Sequence, residues 1–254
     1  MANPPGSTAT GLSETPATLY GELAEWWPVI SPPAEYAGEA ELLAGLLRTA
    51  TRPVRDVLEL GSGGGNNASY LSQEFSMTLV DISEAMLRVS RALNPGCEHF
   101  CADMRSVRLD RAFDAVLVHD AIDYMEDESH LLEVFATAAA HLRSGGVAVF
   151  VPDFVADTYQ PSTDHGGAEA ADGRSARYLE WPLPVPAGRD WFETVFVLVL
   201  RDADGSITTK TETHRFGLFP RATWLRLLGA AGFEPTALDL HDDHARTVFV
   251  GHMP

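Results

Sequence analysis

The chain has 254 residues, 45% of them hydrophobic, which is ample for a packed core of one large or two small domains and too much for a disordered chain. Thirty-six acidic against 18 basic side chains leave a formal net charge of −18, a field that repels phosphate backbones and anionic lipid surfaces, so neither nucleic acid nor membrane is expected as a partner. No basic patch with an apolar stretch opens the chain and no run reaches the roughly 20 apolar residues of a bilayer span, so a cytoplasmic location is expected.

Residues 1–18 are rich in Pro, Gly, Ser and Thr and read as a mobile, disordered tail. From Tyr20 to Ala50 two helical stretches flank Ser31-Pro32-Pro33, the second running over 35–47 with Leu42, Leu43, Leu46 and Leu47 on one face. From Arg55 short apolar runs alternate with helical segments, the pattern of a buried parallel sheet with crossover helices. Strands are predicted at 57–60, 77–80, 98–102, 115–119 and 146–151, and helices at 67–74, 83–93 and 128–141. Ser83 suits the N-cap of its helix, and Gly145-Gly146 reads as the left-handed stop of the helix over 128–141.

After Val151 the alternation stops. About 40 residues follow with five prolines and Gly166-Gly167, a length typical of functional lids or disordered segments. Strand-like runs at 191–200 and 207–216 then flank Asp202-Ala203-Asp204-Gly205, a hairpin signal. A helix at 221–231 and strands near 236–240 and 247–251 close the chain, the last two as an antiparallel hairpin at a sheet edge. Cys97 and Cys101 read as small apolar residues flanking a strand in a reducing compartment, because two thiols without a nearby ligand pair make a poor zinc site and no metal is expected.

Glu59-Leu60-Gly61-Ser62-Gly63-Gly64-Gly65-Asn66 lies where a strand gives way to a helix. Its glycines allow a sharp turn and close approach of a ligand to bare backbone, and the helix start offers unpaired amides to an anion. Alone the loop could cradle a pyrophosphate or simply turn. Asp81 ends the next strand 20 residues on, where a carboxylate can accept hydrogen bonds from two ribose hydroxyls, which fits an adenosine ligand. Asn66 in place of the third glycine of a dinucleotide pattern, and the closing strand pair, argue against a nicotinamide-dependent oxidoreductase. Asp103-Met104 adds a polar and an apolar group able to hold an adenine.

On these residues the chain from about Tyr20 onward resembles a class I S-adenosylmethionine-dependent methyltransferase. The matching segments are 57–65, Leu79-Val80-Asp81-Ile82-Ser83, Ala102-Asp103-Met104, and Phe113-Asp114-Ala115-Val116 leading to His119-Asp120. The resemblance implies an α/β, Rossmann-like, seven-stranded methyltransferase sheet, with residues 19–254 as one domain. Within it, 19–50 would form an N-terminal helical cover and 152–216 an inserted lid of loop plus antiparallel strands. It further implies S-adenosylmethionine as cofactor. Glu59 would orient the loop, Asp81 hold the ribose, Asp103 and Met104 meet the adenine, and the main chain near Gly61 and His119 hold the methionine part. Ser62, Gly63, Ile82, Met86, Tyr20 and Tyr36 would complete that site.

The narrower likeness is to bacterial natural-product enzymes that methylate amino-sugar nitrogens or comparable small polar acceptors. It is carried by Tyr20-Gly21-Glu22-Leu23-Ala24-Glu25, Tyr36, Glu39-Ala40, and Thr213-His214-Arg215 to Leu218-Phe219. The chain departs from those enzymes at Trp26-Trp27-Pro28 and at Asp164-His165-Gly166-Gly167, and Tyr124 stands where they carry a histidine.

Methyl transfer from a sulfonium asks mainly for alignment and exclusion of water, and an amine acceptor must also shed a proton. The strand over 115–119 ends toward the crevice, so His119, Asp120, Asp123 and Tyr124 follow as candidates to assist, with His165 in the lid as a further base. Asp120 and Asp123 read equally as caps of the next helix. Trp27, Asp164, His165, Arg174, Tyr178 and Trp181 are the candidate acceptor contacts; Arg174 and Arg177 read as well as solvated loop residues. His241 and His244, among Asp242 and Asp243, read as a surface turn. The expected function is methylation of an amine on a small polar metabolite by a monomer or homodimer. O-methylation, a non-methylating S-adenosylmethionine-binding role and nicotinamide chemistry are the alternatives.

Overall fold

The computed structural model describes residues 18–240 and 246–254; the expected tail up to residue 17 and the turn with His241 and His244 lie outside the described residues. In chain order the helices are α1 (Trp27–Ile30), α2 (Ala37–Leu47), α3 (Asn66–Leu71), α4 (Glu84–Leu93), α5 (Glu128–Ala140) and α6 (Arg221–Ala230). The strands are β1 (Asp56–Leu60), β2 (Ser76–Asp81), β3 (Glu98–Cys101), β4 (Phe113–His119), β5 (Leu142–Val151), β6 (Asp164–Gly166), β7 (Ser175–Pro182), β8 (Trp191–Arg201), β9 (Ile207–Gly217), β10 (Glu234–Asp239) and β11 (Thr247–His252).

Seven strands form one sheet in the order β10-β11-β5-β4-β1-β2-β3. β1 pairs in parallel with both β2 and β4, and β11 runs antiparallel to β5 and β10. This is the expected Rossmann-like sheet with a closing antiparallel pair. Every residue of β4 is buried, which is why it reads as an unbroken apolar run. One face of the sheet packs Phe113, Phe135, Phe150 and Phe249 around Trp224 of α6, and the other packs Leu43 and Leu47 of α2 with Leu71 of α3. Successive strands leave β1 in opposite directions, so the sheet's switch point lies where β1 and β4 end, and ligands of open α/β sheets bind at such crevices.

β6, β7, β8 and β9 form a second, antiparallel sheet. β8 alternates as a half-buried strand should, with Phe192, Thr194, Phe196, Leu198 and Leu200 inward. Leu198, Leu200 and Ala176 of this sheet pack against Leu19, Leu23 and Val29, joining it to the N-terminal segment.

Four sequence expectations are corrected. The stretch after Val151 is not mostly loop: β6 and β7 occupy much of it and pair with β8. Gly145-Gly146 do not stop α5, which ends at Ala140. Gly145 adopts φ 76° inside β5, where the pairing with β4 jumps from Phe113↔Leu142 to Ala115↔Val147 and a bulge needs the left-handed residue. α2 starts at Ala37 and buries Ala40, Leu43, Ala44 and Leu47, leaving Leu42 exposed. Finally, neither Asp120 nor Asp123 caps α5; that is Asp127, whose Oδ1 accepts from the His130 amide at 2.8 Å.

Candidate active site

A cleft of about 1760 Å³ lies between the C-terminal ends of β1, β2 and β4, the N-terminal segment and the antiparallel sheet. Its floor is the glycine loop. Gly61, Gly63 and Gly65 all have positive φ, and a Cβ at Gly61 would collide with Ala121 on the β4 side. A Cβ at Gly64 would collide with the Trp27 indole, so the loop is squeezed between two walls that only bare backbone fits.

Asp81 fixes the loop from the side. Its Oδ2 accepts from the Gly63 amide at 2.8 Å and its Oδ1 from the Ser83 amide at 2.7 Å. Burial nevertheless raises its pKa. Ser83 caps α4 through the Met86 amide and donates its hydroxyl to the Tyr20 carbonyl at 2.5 Å, tying the cover to the loop. Below them Glu59 is 3% exposed, its Oε2 has no hydrogen-bond partner, and burial pushes its carboxyl up to about 8. Ser62 Oγ is likewise buried and unpartnered. Asp103 is held by Arg105 through its backbone amide, Nε and Nη2.

At the end of β4 the His119 ring is clasped by two carboxylates, with Nε2 3.0 Å from Glu39 Oε1 and Nδ1 3.1 Å from Asp120 Oδ1. Burial opposes the charged imidazole, but Asp120 and Glu39 outweigh it and hold the pKa well above the ordinary value. Burial would raise Glu39 too, yet His119, Asn67 and Arg246 bring it down to about 2. Both ring nitrogens thus face carboxylate oxygens, an arrangement that favours the charged imidazole over a free base. Asp120 sits at φ 44°, ψ −49°, a costly conformation for a residue with a Cβ, pinned by its amide to the Val151 carbonyl.

Facing this cluster is a chain of polar groups. Tyr124 Oη lies 3.2 Å from Tyr20 Oη and 2.6 Å from His214 Nδ1, and His214 Nε2 lies 2.9 Å from Glu212 Oε1. Burial, then the neighbouring Tyr20 hydroxyl, keep the Tyr124 phenol protonated far past neutrality. Tyr124 and His214 are thus close enough to share a proton. Nearby, Asp123 accepts the Asp153 amide at 2.8 Å on Oδ2, while its buried Oδ1 has no partner.

The sequence family defined as methyltransferase domain matches residues 57–146, which span β1 to the bulge of β5. The dTDP-3-amino-3,4,6-trideoxy-alpha-D-glucopyranose N,N-dimethyltransferase of Streptomyces venezuelae is 27% identical over 219 residues, 85% of this chain and 91% of that protein. The dTDP-3-amino-3,6-dideoxy-alpha-D-glucopyranose N,N-dimethyltransferase of Streptomyces fradiae is also 27% identical, over 85% of each. The crystal structure of the sugar N-methyltransferase KedS8 from Streptoalloteichus superposes with a TM-score of 0.80 at 26% identity, over 98% of this chain and 99% of that one. The chain is a class I S-adenosylmethionine-dependent methyltransferase. Nicotinamide chemistry falls away.

The methyltransferase's cleft brings together Tyr20, Trp27, Tyr36, Glu59, Gly61, Ser62, Gly63, Asp81, Ile82, Met86, Asp103, Met104, His119, Asp120, Tyr124, Asp164 and Tyr178. It does not include His165, Arg174 or Trp181. Arg174 pairs with Asp172, donates to the Glu25 carbonyl and lies 5.1 Å over the Trp26 ring, so it clamps the N-terminal segment to the sheet. His165 is exposed and Trp181 is 52% exposed, both on the far side of their strands. Trp27 packs on the glycine loop, toward the donor side of the cleft. Sequence reasoning missed Glu39, Asp153, Glu180, Glu212 and His214 as site residues, although Glu39 and His214 stand in the segments that carry the amino-sugar likeness.

Among the described residues no helix is long and apolar enough to cross a membrane, and no group of His, Cys, Asp or Glu is arranged to hold a metal ion.

Proposed function

We propose that this enzyme transfers methyl from S-adenosylmethionine to an amine of a small amino sugar in a natural-product pathway. The carrying observation is the Tyr124–His214–Glu212 chain, which opens into the same cleft as the glycine loop and Asp81. The names of the two dimethyltransferases support the acceptor class.

The residues fit the donor: two buried, unpartnered oxygens, Glu59 Oε2 and Ser62 Oγ, lie beside a loop in which a Cβ at Gly61, Gly64 or Gly65 would collide with its neighbours. Asp81 would hold the ribose hydroxyls, Met86 and Met104 would sandwich the adenine, and Asp103, steadied by Arg105, would accept from its exocyclic amine. The Gly61 amide already donates to the Val80 carbonyl at 2.8 Å, so the backbone's remaining offer there is the Gly61 carbonyl, suited to an ammonium. Bound donor supplies an electrophilic sulfonium methyl for in-line displacement. As the acceptor nitrogen forms its bond to carbon, its proton passes to Tyr124 Oη while the phenolic proton passes to His214 Nδ1, and Glu212 steadies the resulting imidazolium. The cover (19–50) and insert (152–216) close the cleft from solvent. Free Cys97 and Cys101 support a reducing, cytoplasmic setting.

Incubation with methyl-labelled donor and a panel of amino sugars tests the reading: label appears on nitrogen together with S-adenosylhomocysteine. Donor binding with no transfer to any amine would sink it. Asp81→Asn is expected to weaken donor binding by about 1–3 kcal/mol, the scale of hydrogen bonds to a charged acceptor. Unchanged affinity by calorimetry would refute the ribose assignment.

A further inference from the structure

We propose that the acceptor is an amino sugar bearing at least two amino groups and no phosphate, unlike the nucleotide-linked sugars named for the relatives. The inference rests on the amine-methylation reading above and deepens it.

The cleft's charge argues for it. Among the described residues it is lined by twelve carboxyl groups, Glu59, Asp123 and Asp153 among them pushed up by burial, and three guanidinium groups. All three guanidinium groups are engaged: Arg105 by Asp103, Arg246 by Glu39 at 2.9 Å, and Arg215 by Glu193 at 3.0 Å and Glu126 at 3.6 Å while stacked over Trp191; the His119 imidazole is likewise taken up by Glu39 and Asp120. Residues 1–17 and 241–245 contain no Lys or Arg, so those segments bring no further cation of that kind. A diphosphate entering here would meet carboxylates with nothing to pair it.

Glu59, Asp81, Glu39 and Asp103 are accounted for by the donor side. Glu126 faces Arg215 and Glu212 faces His214, which leaves Glu35, Asp120, Asp123, Asp153, Asp164 and Glu180. Asp164 and Glu180 are direct cross-strand partners on β6 and β7, both facing the cleft, an arrangement of like charges that costs stability unless a cation lies over it. Burial, then Asp164 and Asp120, push the Glu180 carboxyl up to about 7. Independently, Asp123 is 6% exposed, its carboxyl is held well above the ordinary value by burial and then by Asp153, and its buried Oδ1 has no partner. These carboxylates are not grouped as metal ligands. Spread along the cleft, they suit two amino groups on one molecule: the reacting amine, neutral when it attacks, at Tyr124 and an ammonium over Asp164 and Glu180.

The test measures S-adenosylhomocysteine formation with three probes: neamine, which is phosphate-free with several amines; the methyl glycoside of 3-amino-3,6-dideoxyglucose; and the same sugar linked to dTDP. The expected kcat/KM for neamine exceeds that for the glycoside by about tenfold or more, the scale of one partly desolvated charge pair, with the nucleotide sugar poorest. Raising salt from about 20 to about 300 mM narrows the gap. Asp164→Asn combined with Glu180→Gln costs neamine about tenfold more than it costs the glycoside. It also raises Tm, because the opposed charges are gone. Preference for the nucleotide sugar, or an advantage for neamine that survives salt and the double variant, overturns the acceptor class while leaving amine methylation standing. No product from any probe, with donor bound, overturns the amine-methylation reading itself.

Discussion

His214→Ala is expected to lower kcat by roughly 10²- to 10⁴-fold, the contribution of a positioned proton acceptor, with donor affinity nearly unchanged. The imidazole stands 2.6 Å from Tyr124 Oη and 2.9 Å from Glu212 Oε1, and its ring neighbours are Tyr20, Tyr124, Phe196 and Phe216 rather than the glycine loop. Removing it leaves a phenol that can be reached but cannot pass its proton on. Tyr124→Phe interrupts the same path one step earlier and is expected to cost about as much. The double variant should then be little worse than either single one, because residues acting as a unit are not additive. Exogenous imidazole, small enough for the hole left at 214, should restore part of the rate to His214→Ala and none to Tyr124→Phe. Single-turnover kinetics read all four outcomes. An undiminished kcat in His214→Ala, or losses that multiply in the double variant, would show that the proton leaves by another route.

The donor half of this site was legible because its residues lie in contiguous segments at strand ends. Glu59 to Asn66, Asp81 and Asp103 each follow an apolar run, and the physics that ends a buried strand also puts the next residue into the crevice. The acceptor half is assembled across the chain. His214 lies 90 residues from Tyr124, on a strand whose Thr, Lys, Glu and His read as a solvated face until the Tyr20 and Tyr124 rings are known to pack against it. Glu39 on α2 has the look of an exposed helical glutamate, and only the fold brings it to His119.

The errors in the insert share one cause. Treated as loop, residues 164–181 have no inside or outside, so every polar or aromatic side chain is a candidate contact. Once β6 and β7 exist, period-two geometry decides: Asp164, Tyr178 and Glu180 turn into the cleft, while His165 and Trp181 turn away. Of the prolines and glycines that suggested loop, Gly166 and Pro182 are the last residues of these short strands and the others lie outside them, so none interrupts the pairing.

Glu59→Gln is expected to flatten the stability of the ligand-free enzyme between about pH 5 and about pH 8. In the folded chain, burial first, then the charges of Asp81 and Glu39, hold this carboxyl at about 8 against its ordinary 4.5, with His119 opposing them. Between those two values the folded protein keeps a proton that the unfolded chain releases. The stabilisation is therefore complete below the ordinary value and drains away as pH rises through 8, at up to about 1.4 kcal/mol per pH unit. Glutamine keeps the shape and stays neutral throughout. Urea unfolding at half-unit intervals should show the two proteins close together at the acid end. The variant should lead by several kcal/mol at the alkaline end, an upper bound on the order of 5 kcal/mol. The remaining acidic groups titrate in both proteins and cancel from the difference. Parallel stability curves would mean that Glu59 is already ionised in the free enzyme, stabilised by its neighbour His119, and the oxygen left without a partner at the bottom of the donor cleft would then be an anion rather than a neutral acid.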